Sequence, residues 1–444
     1  MWLQYRLNQL LCRQLVDISA GTEKLFGFKP FLLFFNRYMS LLNILSEQEA
    51  WVDFYEQKVD PVYFRMSDAK ELFHYVRQKK YLPVVDRIMS GQGLSVPKKK
   101  KVAKSSSSRK RVVYSLPEDE TTALKFLTWL MIRKYDDFFS DNLYSFRPGY
   151  GPKDALRKIL ACPGISQYRS YRMDIHDYFN SIDVELLFPI INELMSDDLP
   201  LCEFLHSHLS DTRVIEDGIE VNEYKGIMAG IPFAVFLANV YLTPLDRMFD
   251  EMSDVIYCRY SDDIIIFTKE QETLDSAKKL LHDFLRGLNL EINPDKVSET
   301  GPGQPWTFLG FECDGQAIDV SKVSVGKLKA KMRRKARALR RWKDAEGKED
   351  WMAAKAFVKY FNRKLFSSDD TTEINWSWWY FPMITTDRSL KELDAYMQDC
   401  VRYVATGKRT KSRYNFRYEQ MKSLGMVSLV NAWYRYRKEG ACGI

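Results

Sequence analysis

The sequence predicts an α+β fold in which a strand-rich middle is flanked by helical regions. Between residues 109 and 320, short β-branched and aromatic runs alternate with longer segments whose apolar residues recur at helical spacing. Residues 1–94 and 322–444 show helical spacing without comparable strand candidates. A chain of 444 residues is long enough for two or three packed subdomains.

Three regions follow from this pattern: a helical region over 1–94, a mixed region over 95–320 and a second helical region over 321–444. Residues 95–108 are rich in lysine and serine, and we interpret them as a mobile surface loop. Their lysine run resembles a nuclear localisation signal, but contact with phosphate is the interpretation that we favour.

Composition is that of a globular protein with a modest basic excess. Hydrophobic residues make up 45% and charged residues 28%, and the net charge is +7. A positive excess attracts polyanions, although many enzymes that do not bind nucleic acid carry a similar one. No run of 18 apolar residues and no signal-peptide pattern occurs, so we expect no membrane partner.

The seven cysteines form no C-x-x-C pair, which indicates a reducing compartment and predicts a cytoplasmic protein. Cys202, His206 and His208 lie close together in sequence. A fourth ligand is missing nearby, so we favour an ordinary helix face over a zinc site.

A β-hairpin with acidic residues at its turn is predicted over residues 256–267. Two β-branched and aromatic runs flank Ser261, Asp262 and Asp263. Neighbouring carboxylates repel each other, and a divalent metal ion would relieve that repulsion. An exposed turn without a metal is the alternative.

A second carboxylate, Asp174, is predicted at the end of the strand Ser170–Asp174. A carboxylate at a strand end beside an Asp-Asp hairpin can hold two Mg²⁺ ions, one at an attacking oxygen and one at a leaving pyrophosphate. Together the three acids predict a site for phosphoryl-transfer chemistry.

Six segments resemble, in family order, the motifs of reverse transcriptases of the group II intron-like bacterial type. The resemblance covers about residues 85–315 and implies a right-hand polymerase fold with antiparallel sheets in fingers and palm, followed by a helical thumb. The segments are Leu116–Gly149 with Asp154–Leu156, Asp174–Phe179, Gly230–Leu242, Tyr260–Asp263, Leu290–Lys296 and Phe308–Phe311.

The resemblance implies a role for each matching residue. Asp174, Asp262 and Asp263 would be catalytic metal ligands, joined by the backbone carbonyl of Ile175, and Lys296 would protonate pyrophosphate. The implied cofactor is a pair of Mg²⁺ ions, with Mn²⁺ as a substitute. The residues implied to bind the incoming dNTP are Lys110, Arg111, Arg147, Phe179, Gly230 and Pro232.

Two positions depart from the family pattern. Ala229 stands where these enzymes usually carry Gln, and Ala234 stands where they usually carry Ser. Neither position is a metal ligand, so we expect polymerase activity with altered fidelity or template choice.

The segment Lys327–Lys343 predicts a helix with ten Lys or Arg residues and a narrow apolar stripe. We favour contact with RNA phosphates over a merely solvated charged helix. The residues predicted to bind RNA are Lys327, Lys331, Arg334, Lys335 and Arg341. Clustered aromatic residues further on fit either RNA stacking or a thumb core.

A helical extension without a nuclease resembles the defence-associated ("unknown group") reverse transcriptases of bacteria. This resemblance implies an RNA-directed DNA polymerase in anti-phage defence, with a structured non-coding RNA as template, dNTPs as substrates and DNA as product. A maturase-like RNA-binding protein and untemplated or protein-primed DNA synthesis are the alternatives, and homo-oligomerisation stays open.

Overall fold

The computed structural model describes residues 39–59, 66–103, 110–315, 317–366, 375–408 and 410–439. These residues form two compact units, one extending to Pro302 and the other beginning at Gly303. Residues 1–38 and 60–65 of the predicted N-terminal helical region and 104–108 of the predicted loop lie outside the described residues.

The first unit contains eleven described α-helices, most of them amphipathic or fully buried. Pro117 precedes the helix that begins at Glu118, and three acids occupy its first turn, where they complement the helix dipole. The helices are α1 (Leu41–Ile44), α2 (Gln48–Val59), α3 (Met66–Arg77), α4 (Leu82–Met89), α5 (Glu118–Lys134), α6 (Pro152–Leu160), α7 (Tyr178–Ser181), α8 (Val184–Leu194), α9 (Leu199–Ser210), α10 (Ala234–Asp250) and α11 (Gln271–Gly287).

The described strands of this unit form two four-stranded sheets. One is fully antiparallel and has the order β6-β7-β3-β8; the other has the order β2-β1-β4-β5 and joins two antiparallel pairs through a single parallel bridge between Lys98 and Ile215. The strands are β1 (Lys98–Ala103), β2 (Lys110–Ser115), β3 (Arg169–Asp174), β4 (Arg213–Glu216), β5 (Ile219–Asn222), β6 (Ile256–Tyr260), β7 (Asp263–Thr268) and β8 (Ser298–Thr300).

The prediction of a mobile loop over 95–108 is wrong for residues 98–103, which form β1. Lysine is a poor strand former, but carboxylates on the neighbouring hairpin compensate the charge. Lys99 donates to Glu216 at 3.1 Å and also to Glu223, and Lys101 donates to Glu216 at 2.8 Å. Two lysines of the run are thus already paired within the protein.

The β4–β5 hairpin was not among the predicted strands. Its two-residue turn is Asp217-Gly218, and both residues have positive φ, as a type I′ turn requires. An Asp-Gly pair between alternating apolar residues is a strong hairpin signal, so the sequence did contain the information.

One hydrophobic core runs through the first unit, from Leu41 to Leu290. Trp51 is completely buried; its ring stacks on Tyr81 at 4.7 Å and contacts Phe126 at 4.3 Å. Since Trp51 belongs to α2 and Phe126 to α5, the N-terminal helices share their core with the segment that follows β2.

The described residues of the second unit form a three-stranded antiparallel sheet and six α-helices. The sheet order is β11-β10-β9. Helix α12 buries an apolar stripe that includes Leu328, Met332 and Ala336, as its spacing predicted. The elements are β9 (Trp306–Phe308), β10 (Phe311–Cys313), β11 (Ile318–Val320), α12 (Lys322–Glu346), α13 (Asp350–Phe366), α14 (Trp376–Tyr380), α15 (Arg388–Thr406), α16 (Tyr418–Ser423) and α17 (Leu429–Glu439).

The predicted α+β class is therefore confirmed. Among the described residues, no helix is both long and apolar enough to cross a membrane. The boundaries predicted for three functional regions stay a prediction.

Candidate active site

The predicted acidic hairpin is present as strands β6 and β7. Tyr260 pairs with Asp263, which leaves Ser261 and Asp262 as a two-residue turn. Ser261 has a φ of 58°, a conformation that short polar residues tolerate better than β-branched ones. The tight turn places Asp262 at the end of the hairpin and Asp263 at the first paired position after it.

Strand β3 brings the third acid to the same end of the sheet. Asp174 is the direct cross-strand partner of Asp263. Side chains of directly opposed residues share one face of a sheet, with Cβ atoms about 4.5–5.5 Å apart. The amide of Ile175 donates to the carbonyl of Asp262 at 3.2 Å, which joins the two chain segments beyond the last strand pair.

Two of the three carboxylates are engaged by basic side chains. Lys296 donates to Asp174 at 2.5 Å, and the guanidinium of Arg172 forms a two-point contact with Asp263 at 2.8 and 2.7 Å. Arg172 was not among the predicted site residues. It lies on β3 two residues before Asp174, on the face that this acid shares.

The pKa of Asp262 is affected by its burial and by the neighbouring carboxylates. Burial raises the pKa of Asp262 to about 6, the neighbouring Asp174 adds to this rise, and Lys296 opposes it. Burial also raises the pKa of Asp263, while the Arg172 guanidinium acts in the opposite direction. A cation between these carboxylates would remove the repulsion.

No three described His, Cys, Asp or Glu side chains converge as a ready-made metal site. Asp263 is paired with Arg172, and Asp174 is paired with Lys296. The donor set itself fits Mg²⁺, which binds through a few carboxylates and completes its shell with water and substrate phosphate. A metal ion at Asp174 would compete with the Lys296 ammonium for that carboxylate.

Residues 96–313 match the family model described as reverse transcriptase (RNA-dependent DNA polymerase). This segment, just under half of the chain, is therefore similar to reverse transcriptases. The Retron Ec86 reverse transcriptase of Escherichia coli is 22% identical to the chain over 233 residues, covering 52% of this chain and 66% of that enzyme. The chain thus spans slightly less than two thirds of this relative. The predicted resemblance to bacterial reverse transcriptases is confirmed.

Solved telomerase structures are distantly similar. Apo telomerase from Candida tropicalis has a TM-score of 0.44 and 11% identity, covering 76% of this chain and 60% of that chain. Telomerase from Candida albicans in complex with the TWJ fragment of telomeric RNA has a TM-score of 0.41 and 11% identity, covering 80% and 71%. The family assignment rests on the matched residues, not on these scores.

A buried polar network holds the acidic turn of the matched segment. The hydroxyl of Ser145 accepts from the amide of Ser261 at 2.8 Å and donates to the amide oxygen of Asn239 at 3.0 Å. Arg259, completely buried on β6, donates to Asp246 at 2.7 Å. Sequence reasoning missed these residues because their partners lie far away along the chain.

The residues predicted to bind nucleotide lie on several elements. Lys110 and Arg111 are exposed at the start of β2, beside the residues that the structure does not describe. Phe179 is half-buried in α7, edge-to-face with Tyr178 at 5.7 Å. Pro232 is half-buried two residues before α10. Their roles stay predictions.

Arg147 already has a full set of protein partners. Its buried guanidinium donates to Asp136 at 2.8 Å and to the carbonyl of Ser140 at 2.6 Å, and it lies 4.0 Å from the ring centroid of Tyr150. In this arrangement the side chain fixes the loop after α5. Contact with a triphosphate, as predicted, would require Arg147 to leave these partners.

Gly230 allows close packing of its loop on β2. Its φ is +106°, and a Cβ there would lie 2.6 Å from the carbonyl oxygen of Tyr114. The neighbouring Ala229 accepts a hydrogen bond from the amide of Tyr114 at 2.7 Å and donates to the side chain of Asn180 at 3.2 Å. Glycine at position 230 is therefore required for the close packing of its loop on β2, independently of any contact with a nucleotide.

The three residues considered for zinc make other contacts. Cys202 lies 3.1 Å from the side-chain oxygen of Asn192, and His206 stacks on Phe188 at 3.9 Å between centroids. His208 is buried with its ring edge toward Phe233. These contacts are those of a helix that packs against the core.

The predicted RNA-binding residues all lie on α12 but differ in surroundings. Lys327, Arg334 and Arg341 are exposed and recur every seven residues, so they form one row along the helix. Lys331 is half-buried, and Lys335 lies 4.5 Å above the ring of Tyr360 on α13. The exposed row is the part best suited to a polyanion.

Proposed function

We propose that the chain is an RNA-directed DNA polymerase that extends a primer with dNTPs by a two-metal mechanism. The observation that carries the proposal is the cross-strand pairing of Asp174 with Asp263, beside the turn that presents Asp262, inside a segment similar to reverse transcriptases. This juxtaposition supplies oxygen ligands where phosphoryl transfer needs divalent cations.

In this proposal Asp174 and Asp262 hold the metal ions, with Asp263 and the carbonyl of Ile175 assisting. Bound Mg²⁺, or Mn²⁺ in its place, supplies activation of the primer oxygen and stabilisation of the leaving pyrophosphate. Arg172 sets the position of Asp263 through its two-point contact.

Lys296 has a role that changes as the site fills. In the structure its ammonium neutralises Asp174. We propose that this ammonium would leave Asp174 when the carboxylate holds a cation, and that it would then donate a proton to the departing pyrophosphate. Half of the Lys296 side chain is exposed, so such a movement meets little packing resistance.

We propose that substrate selection falls to residues of α7, of β2 and of the loop before α10. Phe179 would exclude a ribose 2′-hydroxyl, while Lys110 and Arg111 would contact the triphosphate, and Gly230 and Pro232 would line the nucleotide. The carboxyl end of β3 leads directly into α7, which places Phe179 five residues after Asp174. We further propose a bound structured RNA as template and a role in anti-phage defence.

Primer extension on an added RNA template tests the proposal. Asp262→Asn should lower dNTP incorporation on the order of 10³-fold, because it removes one charged ligand and leaves the turn intact. Asp254→Asn is the matched control, since Asp254 is an exposed acid just before β6. Equal incorporation by both variants would reject the assigned site.

A second candidate function is RNA binding of the maturase type, which the exposed row Lys327, Arg334 and Arg341 favours. Charge reversal of the row should then abolish biological activity while Asp174→Ala leaves it intact. The opposite pattern supports the polymerase.

A further inference from the structure

A pocket in the second unit combines unpaired cations with tyrosine rings. It lies between α12 and the end of α15 and has a volume of about 220 Å³. Arg333 and Arg337 of α12 line one side, Tyr396 and Tyr403 of α15 line another, and Lys408 lies just beyond the end of α15. Arg333 and Arg337 belong to the segment Lys327–Lys343 that was predicted to contact RNA phosphates, but no residue of the pocket is among the five named there as RNA-binding.

Helix geometry places the two arginines of the pocket beside the exposed cationic row. Arg333 and Arg337 are one turn apart, and Arg337 is one turn before Arg341 of that row. At about 100° per residue, Arg333 lies closer to the buried stripe of α12 than Arg334 does, and Arg337 lies between Arg333 and Arg341 around the helix.

Lys408 reaches the pocket because α15 ends in a left-handed turn at Gly407. Gly407 has a φ of +67°, and a Cβ there would lie 2.6 Å from the guanidinium of Arg340. The turn reverses the chain so that the next residue, Lys408, lines the pocket. Glycine matters here because it adopts this positive φ without strain.

The charge of the pocket is strongly positive. Its acid, Asp399, accepts from Arg402 at 3.4 Å and from Arg413 at 3.2 Å and is already neutralised. Within the part of the chain that the structure describes, Arg333, Arg337 and Lys408 have no carboxylate partner. Three cations facing one cavity without counter-charge repel one another unless an anion joins them.

Two guanidinium groups one helical turn apart suit a phosphate, since each can donate two parallel hydrogen bonds to its oxygens. The tyrosine rings offer a surface on which a base can stack. We propose that this pocket binds one nucleotide unit, with its phosphate at Arg333 and Arg337 and its base against Tyr396 or Tyr403. The inference rests on the proposed function, because the nucleotide would belong to the RNA that the polymerase uses.

Binding of a labelled single-stranded RNA twelve-mer to the full chain tests the pocket. The protein carries Asp262→Asn and no dNTP is present, so synthesis plays no part in the readout. Arg333→Gln with Arg337→Gln should weaken binding on the order of tenfold in 0.1 M salt. The slope of log affinity against log salt should shrink by about 0.7 for each RNA phosphate that the variant no longer neutralises.

Lys355→Gln with Lys359→Gln is the matched control. These two cations are also exposed and one turn apart, but they lie on α13 and outside the pocket. Equal weakening by both double variants would show a general charge effect and would overturn the proposal. Lys408→Gln gives an independent check and should weaken binding by a smaller factor.

Competition distinguishes an internal RNA nucleotide from a free one. Displacement of the twelve-mer by AMP, abolished in the Arg333→Gln, Arg337→Gln variant, supports a free nucleotide at the same site; failure of AMP to compete supports an RNA segment. Equal competition by inorganic phosphate and AMP would leave the tyrosines without a role and overturn the nucleotide assignment. Primer extension by a chain with intact Asp262, measured separately, reports on the proposed function alone.

Discussion

Arg259 donates to the carboxylate of Asp246, and both side chains are completely buried. Tyr257 donates to the same carboxylate at 2.7 Å. The pair joins β6, the strand that leads into Asp262, to helix α10. Burial raises the pKa of Asp246 while Arg259 opposes the rise, so the carboxylate depends on this partner.

Substitution of only one partner of the Arg259–Asp246 pair should destabilise the protein more than substitution of both partners together. Asp246→Leu or Arg259→Met alone leaves a buried charge unpaired, and we expect each to lower the free energy of unfolding by about 3–5 kcal/mol. The double variant should cost clearly less than the sum of the two. Urea unfolding at neutral pH measures all three; additive losses would contradict the expectation.

Ser145→Ala should lower activity more than its effect on stability explains. It removes the acceptor for the Ser261 amide, so we expect a stability loss of about 1–3 kcal/mol and a reduced kcat for dNTP incorporation. Ser377→Ala is the matched control, because Ser377 is also fully buried and donates to a carbonyl, that of Leu365, in the second unit. If both variants had a similar kcat, Ser145 would have no specific effect on catalysis through the acidic turn.

Lys296→Met should strengthen metal binding while it weakens catalysis. The ammonium of Lys296 competes with a cation for Asp174, so its removal should raise the affinity for Mn²⁺ by roughly two- to tenfold, given about 1 kcal/mol for a partly exposed pair. Dye competition or electron paramagnetic resonance measures that affinity, and primer extension measures activity. Lys279→Met, on the exposed face of α11, is the control. Unchanged Mn²⁺ affinity in Lys296→Met would contradict the competition.

Stability should fall in mild acid because His208 stays neutral in the folded protein. Burial, aided by Lys225, lowers the pKa of His208 from 6.5 to about 4. Between these values the unfolded chain binds a proton that the folded chain does not, so acidification from pH 6.5 to 4 should cost up to about 3 kcal/mol. Above pH 6.5 the group contributes no pH dependence.

His208→Leu should remove this part of the pH dependence, and His206→Leu should retain it. The quantity to compare is the change in unfolding free energy between pH 7.5 and pH 5. Identical changes in the wild type and His208→Leu would show that other groups account for the acid sensitivity.

Local patterns revealed much of the domain. The alternation around Asp262 predicted the hairpin, and helical spacing predicted α10 and α12 within a few residues. In these segments the pattern of burial and the intrinsic preference of the residues agree. The lysines of β1 were misinterpreted because their preference opposes a strand, and only the glutamates of the distant hairpin make it acceptable.

In the candidate site, too, only some of the residues could be predicted from the sequence. The three acids occur in recognisable motifs, but the side chains that form hydrogen bonds and ion pairs around them could not be predicted. Arg172 meets Asp263 across two strands, and Ser145 meets Ser261 from 116 residues away. Arg147 matched a motif yet is held by Asp136, since a residue type alone does not reveal which neighbour satisfies it.

The shared core of the first unit sets a limit on how this protein can be trimmed for experiments. The family match begins at residue 96, yet Phe126 contacts Trp51 and Phe54, which precede it. In the matched segment alone, the aromatic side chains that pack against the N-terminal helices would be exposed to solvent, and we expect such a fragment to aggregate. Biochemical work on this protein should therefore start from chains that retain the helices from Leu41 onward.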